Sequence, residues 1–123
     1  MSETGAYLYA VSRGVRADQL TDVRGIAGEQ VRLVEHGGLG AVVSAVDLDE
    51  FGDEGLRRNL EDLAWLEQVA RTHDAVVTQV SRLAVTAPLR LATICFDDDG
   101  VRGRLEEWQA ALTTSLDRIE DRV

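Results

Sequence analysis

"TAPLRLATICFDDDG", residues 86–100, decides how this chain is read, because it gathers the only proline, the only cysteine and the densest acidic run around one apolar stretch. Pro88 biases Ala87 away from helical angles. The following "LRLATICF", residues 89–96, has apolar residues on both faces, the pattern of a strand buried inside a sheet. Asp97, Asp98 and Asp99 end that strand and open a helix whose apolar stripe is Val101, Leu105, Trp108, Leu112, Leu116 and Ile119. Acids at a helix start satisfy free amide groups and the macrodipole, worth about 0.3–1 kcal/mol each.

Upstream, Tyr7, Tyr9 and Val11 alternate with Leu8 and Ala10, which predicts a strand near the N-terminus. A loop runs from Gly14 to Gly28. "QVRLVEH" (30–36) and "AVVSAV" (41–46) then form a β-hairpin, with Gly37, Gly38, Leu39 and Gly40 in its turn. Asp47 to Gly55, "DLDEFGDEG", is a polar break. After it Leu56, Leu60, Leu63, Leu66, Val69, His73, Val76, Val77, Val80 and Leu83 recur at helical spacing, predicting one long helix with a continuous apolar face. The order β-β-β-α-β-α specifies an α+β domain over residues 1–123: a mainly antiparallel four-stranded sheet covered by two long helices.

A chain of 123 residues is long enough for one domain with its own core. No apolar run approaches the ~20 residues of a spanning helix, and MSETGAY lacks the layout of a signal peptide, so a soluble, cytoplasmic protein is expected. One cysteine makes neither an internal disulfide nor a Cys-based zinc site. The formal charge is −9, and all 13 basic residues are arginine. That balance repels phosphate backbones and anionic membranes, so neither nucleic acid nor membrane is expected as a partner. The absence of lysine removes the Walker phosphate loop, Schiff-base chemistry and Ser-Lys dyads.

No constellation of residues carries catalysis or a metal. An EF-hand register with Gly100 at position 6 places Asp97, Asp99 and Glu106 correctly, but position 1 falls on Cys95 inside a strand. The register from Asp47 puts Phe51 and Arg58 at ligand positions. Cys95 and His73 have the chemistry of a nucleophile and base, but nothing in the sequence brings them together, and each reads as a core residue. His36 falls at the hairpin turn. "GLGAVV" (38–43) starts like a dinucleotide fingerprint but lacks the third glycine and leads into a strand. No catalytic, cofactor-binding or metal-ligating residue is therefore expected. Packing accounts for Trp108. Trp65, beside the stripe of its helix, is the better candidate for a partner contact.

Four stretches in order, "YLYAVSRG" (7–14), "VRGIAGEQVRLVEHGGLGAVVSAVDLDEF" (23–51), "WLEQVARTHDAVV" (65–77) and "APLRLATICFDDDGVRGRLEEW" (87–108), resemble the gas vesicle accessory protein family GvpF/GvpL. The resemblance implies a non-enzymatic assembly factor, located at gas vesicles, that binds the shell protein GvpA and other gas vesicle accessory proteins. It implies no catalytic group. Gly38, Gly40, His73, Pro88 and Arg90 match as determinants of the fold, and Arg90 is the second candidate for a partner contact. Two departures stand out. The family's Pro-Leu-Arg strand usually continues Phe-Gly-Thr, whereas Leu91 and Ala92 precede Thr93 here, a change expected to touch core packing. The family also carries a second α+β half, so only its N-terminal half is represented. Apolar residues of the last helix up to Ile119 and Val123 are expected to leave surface for association, including self-association. A small-ligand-binding regulatory domain is the other function class that a sheet of this size supports.

Overall fold

At the centre of the computed structural model, which describes residues 3–121, lies β1 (Thr4–Arg13), buried without a break from Gly5 to Ser12. It runs antiparallel to β3 (Leu39–Asp47) on one side and to β4 (Val85–Cys95) on the other. β2 (Arg32–His36) pairs with β3, so the sheet order is β2-β3-β1-β4. The hairpin turn is shorter than the glycine pattern suggested. Gly37 and Gly38 take φ of +60° and +80°, a region that side-chain-bearing residues avoid, while Leu39 and Gly40 already belong to β3.

Two helices cover opposite faces. α3 (Leu63–Ser81) packs Val69, Val76 and Val80 against Tyr7, Tyr9, Val42 and Val46. α4 (Asp98–Asp121) packs Val101, Leu105, Leu112 and Leu116 against Ala6, Leu8, Val43 and Ala87. The α+β architecture expected from the sequence is the one observed, with the two helices sandwiching the sheet. Strict alternation in β1 fails at one point. The pairing slips between Leu8 and Ala10, and this bulge turns Val11 to the α4 side, away from Tyr7 and Tyr9.

β4 is an edge strand, not the interior strand its composition suggested. Its two apolar faces arise because each face of the sheet has its own helix: Leu91 and Ile94 meet the α3 side, and Leu89 and Cys95 the α4 side. An edge position also accommodates Pro88, which has no N–H to give a further strand.

The segment before α3 differs most from expectation. The supposed polar break folds into α1 (Leu48–Phe51) and α2 (Asp53–Asn59), and Phe51 is 2% exposed in the core. The single helix expected from Leu56 to Leu83 is interrupted after α2, where the Asp62 carboxylate accepts from the Ala64 and Trp65 N–H groups and starts α3 afresh. Leu60 and Leu63 consequently lie 43% and 79% exposed, and Leu83, beyond the helix end, 41%. Between β1 and β2, the expected loop contains two short 3-10 turns and sends Val15, Leu20, Val23 and Ile26 into the core. The Tyr9 hydroxyl anchors it, accepting from the Ile26 N–H at 2.9 Å and bonding Ser44 Oγ at 2.6 Å.

The acidic run serves the start of α4, as its position implied. Asp97 Oδ1 accepts from the Gly100 N–H at 2.8 Å, Asp98 forms a two-pronged pair with Arg32 of β2, and Asp99 pairs with Arg102. The Arg32 guanidinium holds the Asp98 carboxyl below the usual range. At the other end of α4, Ile119 is partly buried against the core, while Val123 lies outside the described residues.

Candidate partner-binding cleft

The only proline borders, and Leu91–Ala92 form part of, one local feature. β1 pairs Ala10 with Pro88 and Leu8 with Thr93, so four residues of β4, Leu89 to Ala92, stand opposite Tyr9 alone. The extra chain bows out of the ladder, and Ala92 closes the bow at φ +63°. Ala92 thus occupies a left-handed conformation in which glycine would be unstrained. The departure touches core packing through Leu91, which meets the core on the α3 side, and the backbone through Ala92.

Buried polar groups hold the bow from behind. His73, from α3, places Nε2 3.0 Å from the Leu89 carbonyl and Nδ1 2.8 Å from the Tyr7 hydroxyl. A carbonyl only accepts, so Nε2 carries the proton, and Nδ1 accepts from the Tyr7 O–H. The Tyr7 oxygen in turn accepts from the Ala92 N–H at 3.1 Å. With the imidazole neutral, the Tyr7 O–H has an acceptor in Nδ1; a second ring proton would leave that hydroxyl hydrogen without one. Burial favours the neutral ring by pushing the His73 pKa down, against the opposing pulls of the Leu89 carbonyl and the Asp74 charge. Burial likewise drives the Tyr7 and Tyr9 hydroxyls up, so both stay protonated.

On its outer side the bow forms one wall of a cleft of about 460 Å³, lined by Leu89, Arg90 and Thr93 of β4 and by Arg104, Trp108 and Leu112 of α4, with Ala111 and Ser115 at its rim. Thr93 Oγ1 donates to the Arg90 carbonyl at 2.8 Å, fixing the backbone that carries Arg90. The Arg90 side chain is exposed and has no hydrogen-bond or ion-pair partner among the described residues. Across the cleft, the Arg104 guanidinium sits 5.5 Å from the centre of the Trp108 ring.

Of the two contact candidates named from the sequence, Arg90 lies in this cleft and Trp65 does not. Trp65 is half-buried, with its ring 5.2 Å from Phe51 and its Nε1–H donating to Glu50 at 2.6 Å. It borders a smaller cleft of about 140 Å³ with Ile26, Ala27 and Val69. Trp108 and Arg104, assigned to packing or passed over in the sequence, join Arg90. Their four-residue spacing, which stacks a cation on an indole, was the available signal.

The remaining reactive groups do not converge. His73 belongs to the α3 side of the sheet and Cys95 to the α4 side, with the sheet between them. Burial raises the Cys95 pKa, with Arg104 beside it pulling the other way. Among the described residues no three His, Cys, Asp or Glu side chains are grouped to hold a metal ion, and no helix is long and apolar enough to cross a membrane.

Residues 5–123 match the model of the family described as gas vesicle synthesis protein GvpL/GvpF. Gas vesicle protein L of Streptomyces sp. (strain CB03234) is 44% identical over 117 residues, covering 95% of this chain and 44% of that protein. The crystal structure of the gas vesicle protein GvpF from Anabaena sp. PCC7120 shares the fold, with a TM-score of 0.69 at 18% identity over 94% of this chain and 43% of that one. The chain therefore spans less than half the length of each of these relatives. From the matched extent and the identity over it, this chain belongs to the GvpL/GvpF gas vesicle protein family.

Proposed function

We propose that the chain is a non-enzymatic accessory protein of gas vesicle assembly, working at the gas vesicle by binding the shell protein GvpA or other gas vesicle proteins through the Arg90–Trp108 cleft. The observation that carries the reading is the family match along nearly the whole chain, together with a 44% identical relative named for the gas vesicle. The cleft supports a binding role. It offers an indole, leucines and two arginines on rigid elements, a combination suited to anchoring a partner. Trp65 offers the exposed part of its ring to a second, smaller contact. A small-ligand role, the other class open from the sequence, finds less support in a cleft whose walls include the exposed Arg90 and Arg104.

The test is co-expression of the tagged chain with each gas vesicle protein of its own gene neighbourhood, followed by pull-down. Retrieval of at least one of them, lost on Trp108→Ala, is the expected result. Failure to retrieve any gas vesicle protein with a folded chain would overturn the proposal.

A further inference from the structure

We infer that the cleft receives an amphipathic helix of about three turns whose apolar face is flanked by carboxylates, supplied by the partner protein. This rests on the binding role above and adds the chemistry of what is bound. Charge supplies the first argument. The chain has 22 acidic against 13 basic residues, yet no carboxylate lines this cleft, and its only ionisable lining groups are Arg90 and Arg104. The clefts around Phe96 and Trp65 all include Asp or Glu. Elsewhere some arginines are paired with acids, as in Arg13 with Asp117 and Glu120, or Arg32 with Asp98, while others among the described residues, such as Arg82 and Arg118, are not. Neither Arg90 nor Arg104 pairs with a carboxylate among the described residues. Two guanidinium groups without a carboxylate partner on the two walls of an apolar groove, that of Arg104 also lying against Trp108 and Cys95, favour an occupant that brings its own anions.

Geometry supplies the second argument. Along α4 the lining residues Arg104, Trp108, Ala111, Leu112 and Ser115 follow one helical stripe, spanning about 16 Å at roughly 1.5 Å per residue. Ala111 and Ser115 are small and allow another helix to approach closely. A strand is the poorer occupant, because the opposite wall has no regular ladder to extend: Pro88 lacks a donor, and Leu89–Ala92 bow out of register. A helix in a groove needs no such ladder, only an apolar stripe and flanking charge.

The experiment places a photo-crosslinking benzoyl-phenylalanine at Ala111, or as a control at Gln79 on α3, in the chain co-expressed with the gas vesicle proteins of its gene neighbourhood. Crosslinked segments are mapped by mass spectrometry. Capture from position 111 at least tenfold above position 79 is expected, at a segment with apolar residues at helical spacing flanked by Asp or Glu. The double variant Arg90→Glu, Arg104→Glu, checked for folding by circular dichroism, should lose that capture at least tenfold. A captured segment that is basic or lacks carboxylates, capture of a second copy of this chain, or capture retained by the double variant would overturn the inference. If the pull-down retrieves gas vesicle proteins but position 111 captures none, the helix-binding cleft fails and the assembly role stands. If neither does, both fail.

Discussion

The Tyr7 hydroxyl lies 2.8 Å from His73 Nδ1, a contact between residues 66 apart in sequence that joins the central strand to α3 behind the bow of β4. Tyr7 has two partners there, the His73 ring and the Ala92 N–H. Tyr7→Phe keeps the ring and strands both partners. The expected cost is about 1–3 kcal/mol, from leaving buried polar groups unmatched. Urea unfolding measures it, and amide exchange at Ala92 should accelerate more than exchange in β2.

His73 makes the fold acid-sensitive. Its folded pKa lies below the ordinary value of 6.5, so the unfolded chain binds the extra proton between the two. Stability from this group is complete above about pH 6.5 and declines as pH falls through the unfolded value towards the folded one, with a slope of at most about 1.4 kcal/mol per pH unit. In His73→Gln that slope should disappear, at a lower overall stability. Unfolding curves for both proteins at intervals from pH 7.5 to 5 check the difference, and parallel pH profiles would refute the assignment.

Ala92→Gly should stabilise the protein. At φ +63° alanine carries a left-handed penalty of roughly 1–2 kcal/mol, partly offset by the greater entropy glycine gives the unfolded chain, so a net gain of about 0.5–1 kcal/mol is expected. The readout is a higher urea midpoint at unchanged slope.

Two other glycines should respond to alanine with opposite signs. At Gly25 an added Cβ would collide with the Tyr9 hydroxyl, lie 2.9 Å from Tyr9 Cζ and crowd Ser44 Oγ, all in the core, so Gly25→Ala should cost about 1–3 kcal/mol. At Gly103, inside α4, a Cβ would meet nothing within 4 Å, and Gly103→Ala should add about 0.5–1 kcal/mol through helix propensity. Thermal or urea unfolding of the pair decides it.

Cys95 is 7% exposed and its thiol is held protonated by burial. Reaction with an aromatic disulfide should therefore be slow in the native protein and fast in denaturant, and Cys95→Ala should retain partner binding. Rapid native labelling, or loss of binding by a folded Cys95→Ala protein, would show that the thiol has a role beyond packing.

Local patterns alone determined most of the elements. Alternation marked β1, the glycines at 37, 38 and 40 marked the hairpin, three aspartates marked the end of β4, which begins at Val85, three residues before the Pro88 that suggested its start, and a helical stripe marked α4. Each depends on neighbours within a turn or two of chain, which a sequence displays directly. The same locality explains the errors. A helical spacing from Leu56 to Leu83 does not reveal that Asp62 caps a new helix, and a polar run does not reveal that Phe51 finds a pocket in the core. Only the tertiary structure decided that β4 lies at the edge, because helices on both faces give an edge strand the composition of an interior one. It also decided the candidate site. The bow at Leu89–Ala92 is held by Tyr7 and His73, far apart in the chain, which bond to each other, to the Leu89 carbonyl and to the Ala92 N–H. That bow forms the cleft wall that sets Arg90 across from Trp108. Such partners are chosen by packing across the sheet, and no spacing along the chain records that choice.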